Sequence, residues 1–360
     1  MAEAGPSTRA VHAGLPEPAQ GEPFLPGPVF AAPFHLQGPA DASRFGYQRY
    51  ANPTWERLEQ ALAELEGAAE ALVFASGMAA VAAVVLPALR AGDTLVAPGD
   101  AYPGIRSIAL EHLAPRGVDV RLVPTREDAI LGALDGAAMV WLESPSNPGL
   151  DVLDLASLAD AAHTTGAVVV VDNTLAGPLR QHPLALGADV SVTSASKHVT
   201  GHSDLVLGYA AVRDPAHAVP LRAWRGLTGA IPGPFEAWLA HRSLATFALR
   251  LERQEANAAA IADLLRARDD VADVRWPGVG SVVGFTLPTA ARAQEFLEGC
   301  RYVAEATSFG GVHTNAERRA RWGTDTVPEG FVRLSAGVED AADLVEDISR
   351  ALDAARAAAA

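Results

Sequence analysis

Lysine is almost missing from this chain of 360 residues: the basic residues are arginine throughout, except for Lys197. Cysteine is equally scarce. Cys300 stands alone, which excludes an intrachain disulfide and fits a cytoplasmic setting. No Cys-x-x-Cys or His-x-x-His cluster is present, so no metal site is expected. Long apolar runs are lacking too. Residues 81–89 and 167–171 are far too short to span a bilayer, and residues 1–14 hold no apolar core of a secretory signal. Excess positive charge is also absent. A formal net charge of -15 disfavours nucleic acid and anionic membrane as partners. It leaves open a buried phosphate pocket, which needs only local donors.

The lone lysine is informative because arginine can do most of what lysine does on a surface. Arginine cannot form a Schiff base, since its guanidinium stays protonated and is a poor nucleophile. A single retained primary amine, in Ser194-Ala195-Ser196-Lys197-His198, points to amine chemistry, with pyridoxal 5'-phosphate (PLP) as the natural partner. Taken alone, arginine bias could also have left one lysine by chance.

With 49% hydrophobic residues the chain can bury a large core, one big domain and a smaller one. Residues 5–40 are rich in Pro and Gly with little periodicity and read as an extended arm. Trp55, Leu58, Leu62 and Leu65 mark a helix from Pro53. Beyond it, strands are expected at 71–75, 94–97, 118–123, 139–142, 167–171 and 189–193. Helices are expected from Ser76-Gly77-Met78 onward and over 154–164. The strands end at polar residues, among them Asp100, Tyr102, Glu143 with Asn147, Asp172, and Ser194 to Lys197. This alternation predicts an α/β fold whose mostly parallel sheet is sandwiched by helices, with ligands at the carboxyl ends of the strands. One long helical stretch, little interrupted, is expected over 234–266 as a connector between domains. After it a smaller α+β domain should hold strands at 274–276, 282–286, 303–307 and 332–335, with helices at 290–299 and 340–358. The domain bounds read as 1–48 for the arm, 49–240 for the large domain and 241–360 for the small one. The alanine run 357–360 should fray.

PLP needs an amine, a carboxylate that keeps its pyridine nitrogen protonated, donors for its phosphate, and a ring over one face. Asp172 ends an apolar strand, where an unpaired carboxylate is costly and a pyridinium would offset the cost. Gly77 and Met78 open a helix, whose N–H groups and dipole favour phosphate. Ser194 and Ser196 add hydroxyls. Each signal alone is weak.

Their ordered set resembles the Cys/Met-metabolism family of PLP-dependent enzymes of fold type I, which includes cystathionine γ-lyases and γ-synthases. The likeness runs from Ser7-Thr8-Arg9-Ala10-Val11-His12-Ala13-Gly14 to Arg333-Leu334-Ser335-Ala336-Gly337-Val338-Glu339-Asp340. Between them stand Tyr47-Gln48-Arg49, Ser76-Gly77-Met78, Glu143-Ser144-Pro145-Ser146-Asn147-Pro148, Asp172-Asn173-Thr174, Ser194-Ala195-Ser196-Lys197 and Ser308-Phe309-Gly310-Gly311.

The resemblance implies roles. Lys197 would be the Schiff-base lysine and Asp172 the pyridinium partner. Tyr102 would stack on the ring and help move protons. Gly77, Met78, Ser194 and Ser196 would bind the phosphate, joined by Tyr47 and Arg49 from a neighbouring subunit of a homotetramer, a dimer of dimers. Asn147 would touch the cofactor's phenolic oxygen. Arg333, with Ser308 nearby, would clamp the carboxylate of a small amino-acid substrate. The implied activity is γ-elimination from cystathionine to cysteine, 2-oxobutanoate and ammonia. γ-Replacement on an activated homoserine, or a specialised C–S lyase, is the alternative, since the same residues serve both.

Some positions depart from the family. His198 follows the lysine in place of tyrosine. Gly46 and Thr307 stand where some cystathionine γ-lyases carry glutamates. Gly104 stands where methionine γ-lyases have cysteine, and His313-Thr314 replaces Glu-Ser. The segment between Gly278 and Val282 is short. A PLP-binding protein without turnover is disfavoured by the complete catalytic set, and a Rossmann dehydrogenase by the lack of an opening Gly-x-Gly-x-x-Gly.

Overall fold

The helix over Pro53–Glu66 shows how local sequence sets the frame. Asn52 accepts the Thr54 N–H at 2.8 Å, Pro53 occupies the first helical position, and Gly67 ends the helix at φ 66°. Trp55, Leu58, Leu62 and Leu65 fall on one face and are buried. Each such burial contributes about 1.5–3 kcal/mol. In this computed structural model, which describes residues 4–358, that face packs on a seven-stranded sheet. The first three residues of the arm and the last two of the alanine run 357–360 lie outside the described residues.

The large sheet consists of β1 (Glu70–Phe74), β2 (Thr94–Pro98), β3 (Asp119–Val123), β4 (Met139–Glu143), β5 (Val168–Asp172), β6 (Val190–Thr193) and β7 (Gly208–Val212). Their order is β1-β7-β6-β5-β4-β2-β3. Only β7 runs antiparallel to its neighbours, β1 and β6. Side chains alternate across the sheet. Val140, Leu142, Val169 and Val171 join the core that holds Trp55, whereas Met139, Trp141 and Val170 join a second core on the opposite face. That second core is closed by the helices Gly77–Val85 and Pro215–Thr228.

The smaller sheet contains β8 (Ala272–Arg275), β9 (Val282–Thr286), β10 (Ala304–Glu305), β11 (Asn315–Arg318) and β12 (Phe331–Ser335), in the order β10-β11-β12-β9-β8. Helices Ala290–Gly299 and Ala341–Ala358 cover it. The expected α/β architecture with a smaller α+β unit is the one observed.

Three details differ from expectation. The stretch 234–266 is two helices, Pro234–Leu244 and Phe247–Arg266, broken at Ala245-Thr246. Arg250 explains the break. Its buried guanidinium donates to the freed carbonyl of Ser243 at 3.0 Å, and to those of His198 at 2.9 Å and Val199 at 3.1 Å. The second helix joins both units. Phe247, Ala248 and Leu251 pack in the first core of the large sheet, and Ala258, Ile261, Ala262 and Leu265 in the core of the small one. β7 and β11 were not expected: Gly208-Tyr209-Ala210-Ala211-Val212 has small residues at three of its positions, and Asn315-Ala316-Glu317-Arg318 is charged. The arm is not wholly extended, since Pro6–His12 is helical, but Phe24 and Phe30 beyond it are exposed.

Candidate active site

The carboxyl ends of β4, β5 and β6 meet the start of the helix Gly77–Val85 at one edge of the large sheet. There a cavity of about 850 Å³ opens, closed on its far side by β10 to β12 of the small sheet. Every candidate site residue lines it except Tyr47 and Arg49.

Lys197 sits in the turn that follows β6. Ser194 N–H donates to Thr174 Oγ1 at 2.9 Å, and Gly201 N–H to the Lys197 carbonyl at 2.8 Å, which fixes the turn. The Lys197 Nζ donates to Ser308 Oγ at 2.8 Å and lies 5.4 Å from the centre of the Phe309 ring. Ser308 holds a left-handed φ of 80° to make that contact, a strained conformation of the kind that clusters at working sites. Burial first, and then the positive charge of Arg333, bring the Lys197 amine down to about 8.

Asp172 and Glu143 are register partners at the ends of β5 and β4. Asp172 accepts the Thr174 N–H at 3.0 Å. Glu143 accepts the N–H of Tyr102 at 2.8 Å and that of Asn147 at 2.6 Å, so one carboxyl group fixes two site loops. Burial raises both carboxyl groups. Glu143, which also feels the charge of Asp172, is pushed well above the usual carboxylate range.

Asn147 Oδ1 accepts from Arg333 Nη1 at 2.6 Å. Arg333 lies on β12 directly opposite Glu317 of β11, and its Nη2 reaches Glu317 Oε1 at 2.5 Å. Its guanidinium carbon is 5.4 Å from the Phe309 ring centre, so Phe309 lies against both Lys197 and Arg333.

These residues fit PLP. The first N–H groups of a helix, here those of Gly77 and Met78, have no intrahelical acceptor. A Cβ on residue 77 would lie 2.7 Å from the Ser194 Cβ, so only glycine lets the helix start approach the Lys197 turn. Asp172 is a half-buried carboxyl group at the cavity wall that, among the described residues, accepts a hydrogen bond from Thr174 and from no cation, which suits a pyridinium. Ser196 is a weaker phosphate donor than expected, because its hydroxyl donates to the Leu207 carbonyl at 3.1 Å and accepts the Leu207 N–H at 2.9 Å.

Tyr47 and Arg49 lie apart from their own chain's cavity. Tyr47 is 46% exposed, and Arg49 donates to the Gly226 carbonyl while stacking over Tyr50 at 4.6 Å.

The departures find physical places. His198 is buried outside the cavity, with Nε2 2.9 Å from Ser281 Oγ. Burial and Arg250 bring it down to about 4, so it stays neutral and packs the Lys197 turn on the small sheet. Thr307 donates to Glu317 at 3.1 Å. His313 is exposed at the cavity wall. At Gly104 a Cβ would come within 2.8 Å of the Tyr102 ring and of the Met78 methyl, so a cysteine there would require both side chains to shift. In the short segment, Gly280 N–H donates to Glu255, which also pairs with Arg180.

Sequence reasoning assigned no role to Glu143, Glu317, Arg319 or Asp325. Glu143 carried a legible signal, since it ends a strand beside Asp172. Glu317 and its partners carried none, because β11 was not foreseen.

Comparison with known proteins gives the family of the whole chain. The family model described as Cys/Met metabolism PLP-dependent enzyme matches residues 7–353. A Streptomyces coelicolor protein named "Putative cystathionine gamma-lyase" is 54% identical, over 97% of this chain and 94% of its own. The cystathionine gamma-synthase of Mycobacterium tuberculosis is 36% identical over 97% of each chain. The crystal structure of a cystathionine gamma synthase from Xanthomonas oryzae in complex with cystathionine superposes with a TM-score of 0.93 at 33% identity, covering 98% of this chain and 99% of that one.

Proposed function

The chain belongs to the Cys/Met metabolism family of PLP-dependent enzymes, and from that premise we propose that it cleaves the Cγ–S bond of L-cystathionine, giving, with one water consumed, cysteine, 2-oxobutanoate and ammonia. The observation that carries this reading is the convergence of the only lysine with Asp172, Tyr102 and Arg333 on one cavity. Lys197 would hold PLP through its amine, Asp172 would face the pyridine nitrogen and Tyr102 the ring. Gly77, Met78, Ser194 and Ser196 would take the phosphate, and Asn147 the phenolic oxygen. When bound, PLP supplies an electron sink for charge that develops at the substrate Cα.

The chain's own groups divide the remaining work. Arg333 and Ser308 orient the substrate carboxylate. The Lys197 Nζ, brought down to about 8, is a free amine often enough near neutral pH to take the Cα proton and then shift a proton at Cβ. Tyr102 Oη protonates the departing sulfur. Glu143 keeps Tyr102 and Asn147 in register with each other.

γ-Replacement on an activated homoserine is the second reading. It is favoured by the far end of the cavity, where Ala304, Ala306 and Thr307 present no carboxylate to a distal ammonium. Incubating the PLP-loaded enzyme with L-cystathionine decides between them. Cysteine with 2-oxobutanoate is the expected outcome. Homocysteine with pyruvate would mean β-cleavage, and no turnover would move the assignment to replacement.

We assign Tyr47 and Arg49 to the cavity of a neighbouring subunit within a homotetramer, because both lie outside their own cavity and Tyr47 is exposed. Mixed oligomers of Arg49→Ala and Lys197→Ala chains should regain turnover that neither parent has. A fully active monomer would defeat the assignment.

A further inference from the structure

Behind Arg333 lies a buried cluster that the reaction outlined above leaves without a role. Glu317 is its hub. Its Oε1 accepts from Arg333 Nη2 at 2.5 Å, Arg319 Nη1 at 2.8 Å and Thr307 Oγ1 at 3.1 Å, and its Oε2 accepts from Trp322 Nε1 at 2.8 Å. Both oxygens are spent on protein donors, and the residue is 1% exposed. It therefore neither meets substrate nor exchanges protons with it. Glu317 sets geometry and charge. Arg333 spends N–H bonds on Glu317, on Asn147 Oδ1 at 2.6 Å and on the Ser308 carbonyl at 3.4 Å, and these fix the plane of its guanidinium. Of those three acceptors only Glu317 carries charge, and Arg333 is 4% exposed, so without Glu317 it would be a buried cation with neutral partners.

The cluster also reaches across the cavity mouth. Arg319 donates to Asp325 at 2.8 Å, and the neighbouring Thr324 carbonyl accepts from Arg106 at 2.6 Å. Arg106 donates as well to the Gly99 carbonyl at 3.2 Å, within the loop that carries Tyr102. A continuous set of contacts thus runs from the guanidinium on β12 to the loop of Tyr102 on the other sheet.

We propose that Glu317 is a positioning residue for recognition of the substrate α-carboxylate: it holds Arg333, together with Arg319, at the angle and charge that a carboxylate requires. The inference rests on Arg333 being the carboxylate clamp, but not on which bond the enzyme breaks. The test therefore uses ligands that cannot eliminate. L-Norvaline has no γ leaving group, and butan-1-amine is the same molecule without its carboxylate. Binding of each to the PLP-loaded protein is followed by the change in cofactor absorbance. The wild type should prefer norvaline. Glu317→Gln should lower norvaline affinity by about 10- to 100-fold, the range expected when a positioned group is misplaced by up to an ångström, and leave the amine unchanged. Glu317→Asp, which keeps the charge, should recover part of the loss. An undiminished preference for norvaline in Glu317→Gln, or an equal loss for both ligands, overturns the proposal. Arg333→Lys separates it from its premise: if that variant still prefers norvaline as the wild type does, the clamp assignment itself fails. Should Glu317→Gln not fold, the double variant Glu317→Gln/Arg319→Gln removes one charge of each sign and carries the same comparison.

Discussion

Lys197→Ala is expected to fold, to lose the visible absorbance band of covalently held PLP, and to turn over substrate at least about 10⁴-fold more slowly, the upper range for removal of one acid–base group. No other side chain can substitute, because the chain has no second lysine. Folding should survive because the wild-type amine is a half-buried cation whose hydrogen-bond partner, Ser308, is neutral. The linkage has a definite sign. The folded amine titrates at about 8, against 10.5 for a free one. Below about pH 8 both states are protonated and the burial penalty is present in full. Between the two values the unfolded chain binds the extra proton, so stability rises with pH, and above about 10.5 the penalty is gone. In the cofactor-free protein, Lys197→Ala should therefore raise Tm near pH 7 and have little effect near pH 10.5. A band that survives the substitution, measured after dialysis, would remove Lys197 from its assigned role.

Asp172→Asn should separate cofactor function from apoprotein stability. Asn keeps the shape and can still accept the Thr174 N–H, but it carries no charge to face a pyridinium. A loss of about 10²–10³ in kcat is expected, comparable with deleting one electrostatic contact in a preorganised site. The apoprotein should melt higher than wild type, because a carboxyl group raised by burial and opposed in register by Glu143 no longer has to be desolvated. The gain in Tm on adding PLP should shrink accordingly. Melting curves with and without PLP, together with kcat, test this. Wild-type turnover and an unchanged response to PLP would show that Asp172 serves only the fold.

The two predictions concern residues that the sequence makes legible for different reasons. Lys197 stands out because it is the only lysine, whereas Asp172 follows a run so apolar that only a buried strand accounts for it, and a polar group at the end of such a strand has few explanations. The neighbouring β4 and β5 are visible through the same contrast. β7 is not, because Gly208 and Ala210 are small where the sheet meets the helix Gly77–Val85, and small residues carry little strand signal. The break at Ala245-Thr246 is equally hidden. It depends on Arg250 reaching carbonyls of His198 and Val199, far away in sequence. The Glu317 cluster fails to show for a third reason. Glu317-Arg318-Arg319-Ala320-Arg321 reads as a solvated charged run, and only pairing of β11 with β12 turns two of those charges inward, against Arg333 and Asp325. Departures such as Gly104 and His198 were visible as letters, but their meaning lay in neighbours, Met78 and Ser281, brought in by tertiary packing.

The arginine-only surface has one more consequence. Reagents that acylate or reductively alkylate lysine find no side chain on the outside of this molecule, and the single one they can find lines the cavity. Once the α-amine of the first residue is blocked, labelling of that side-chain amine is thus a direct readout of cavity access. A fluorescent or isotopic tag fixed there by reduction would then mark one address per subunit, and occupied sites could be counted by mass.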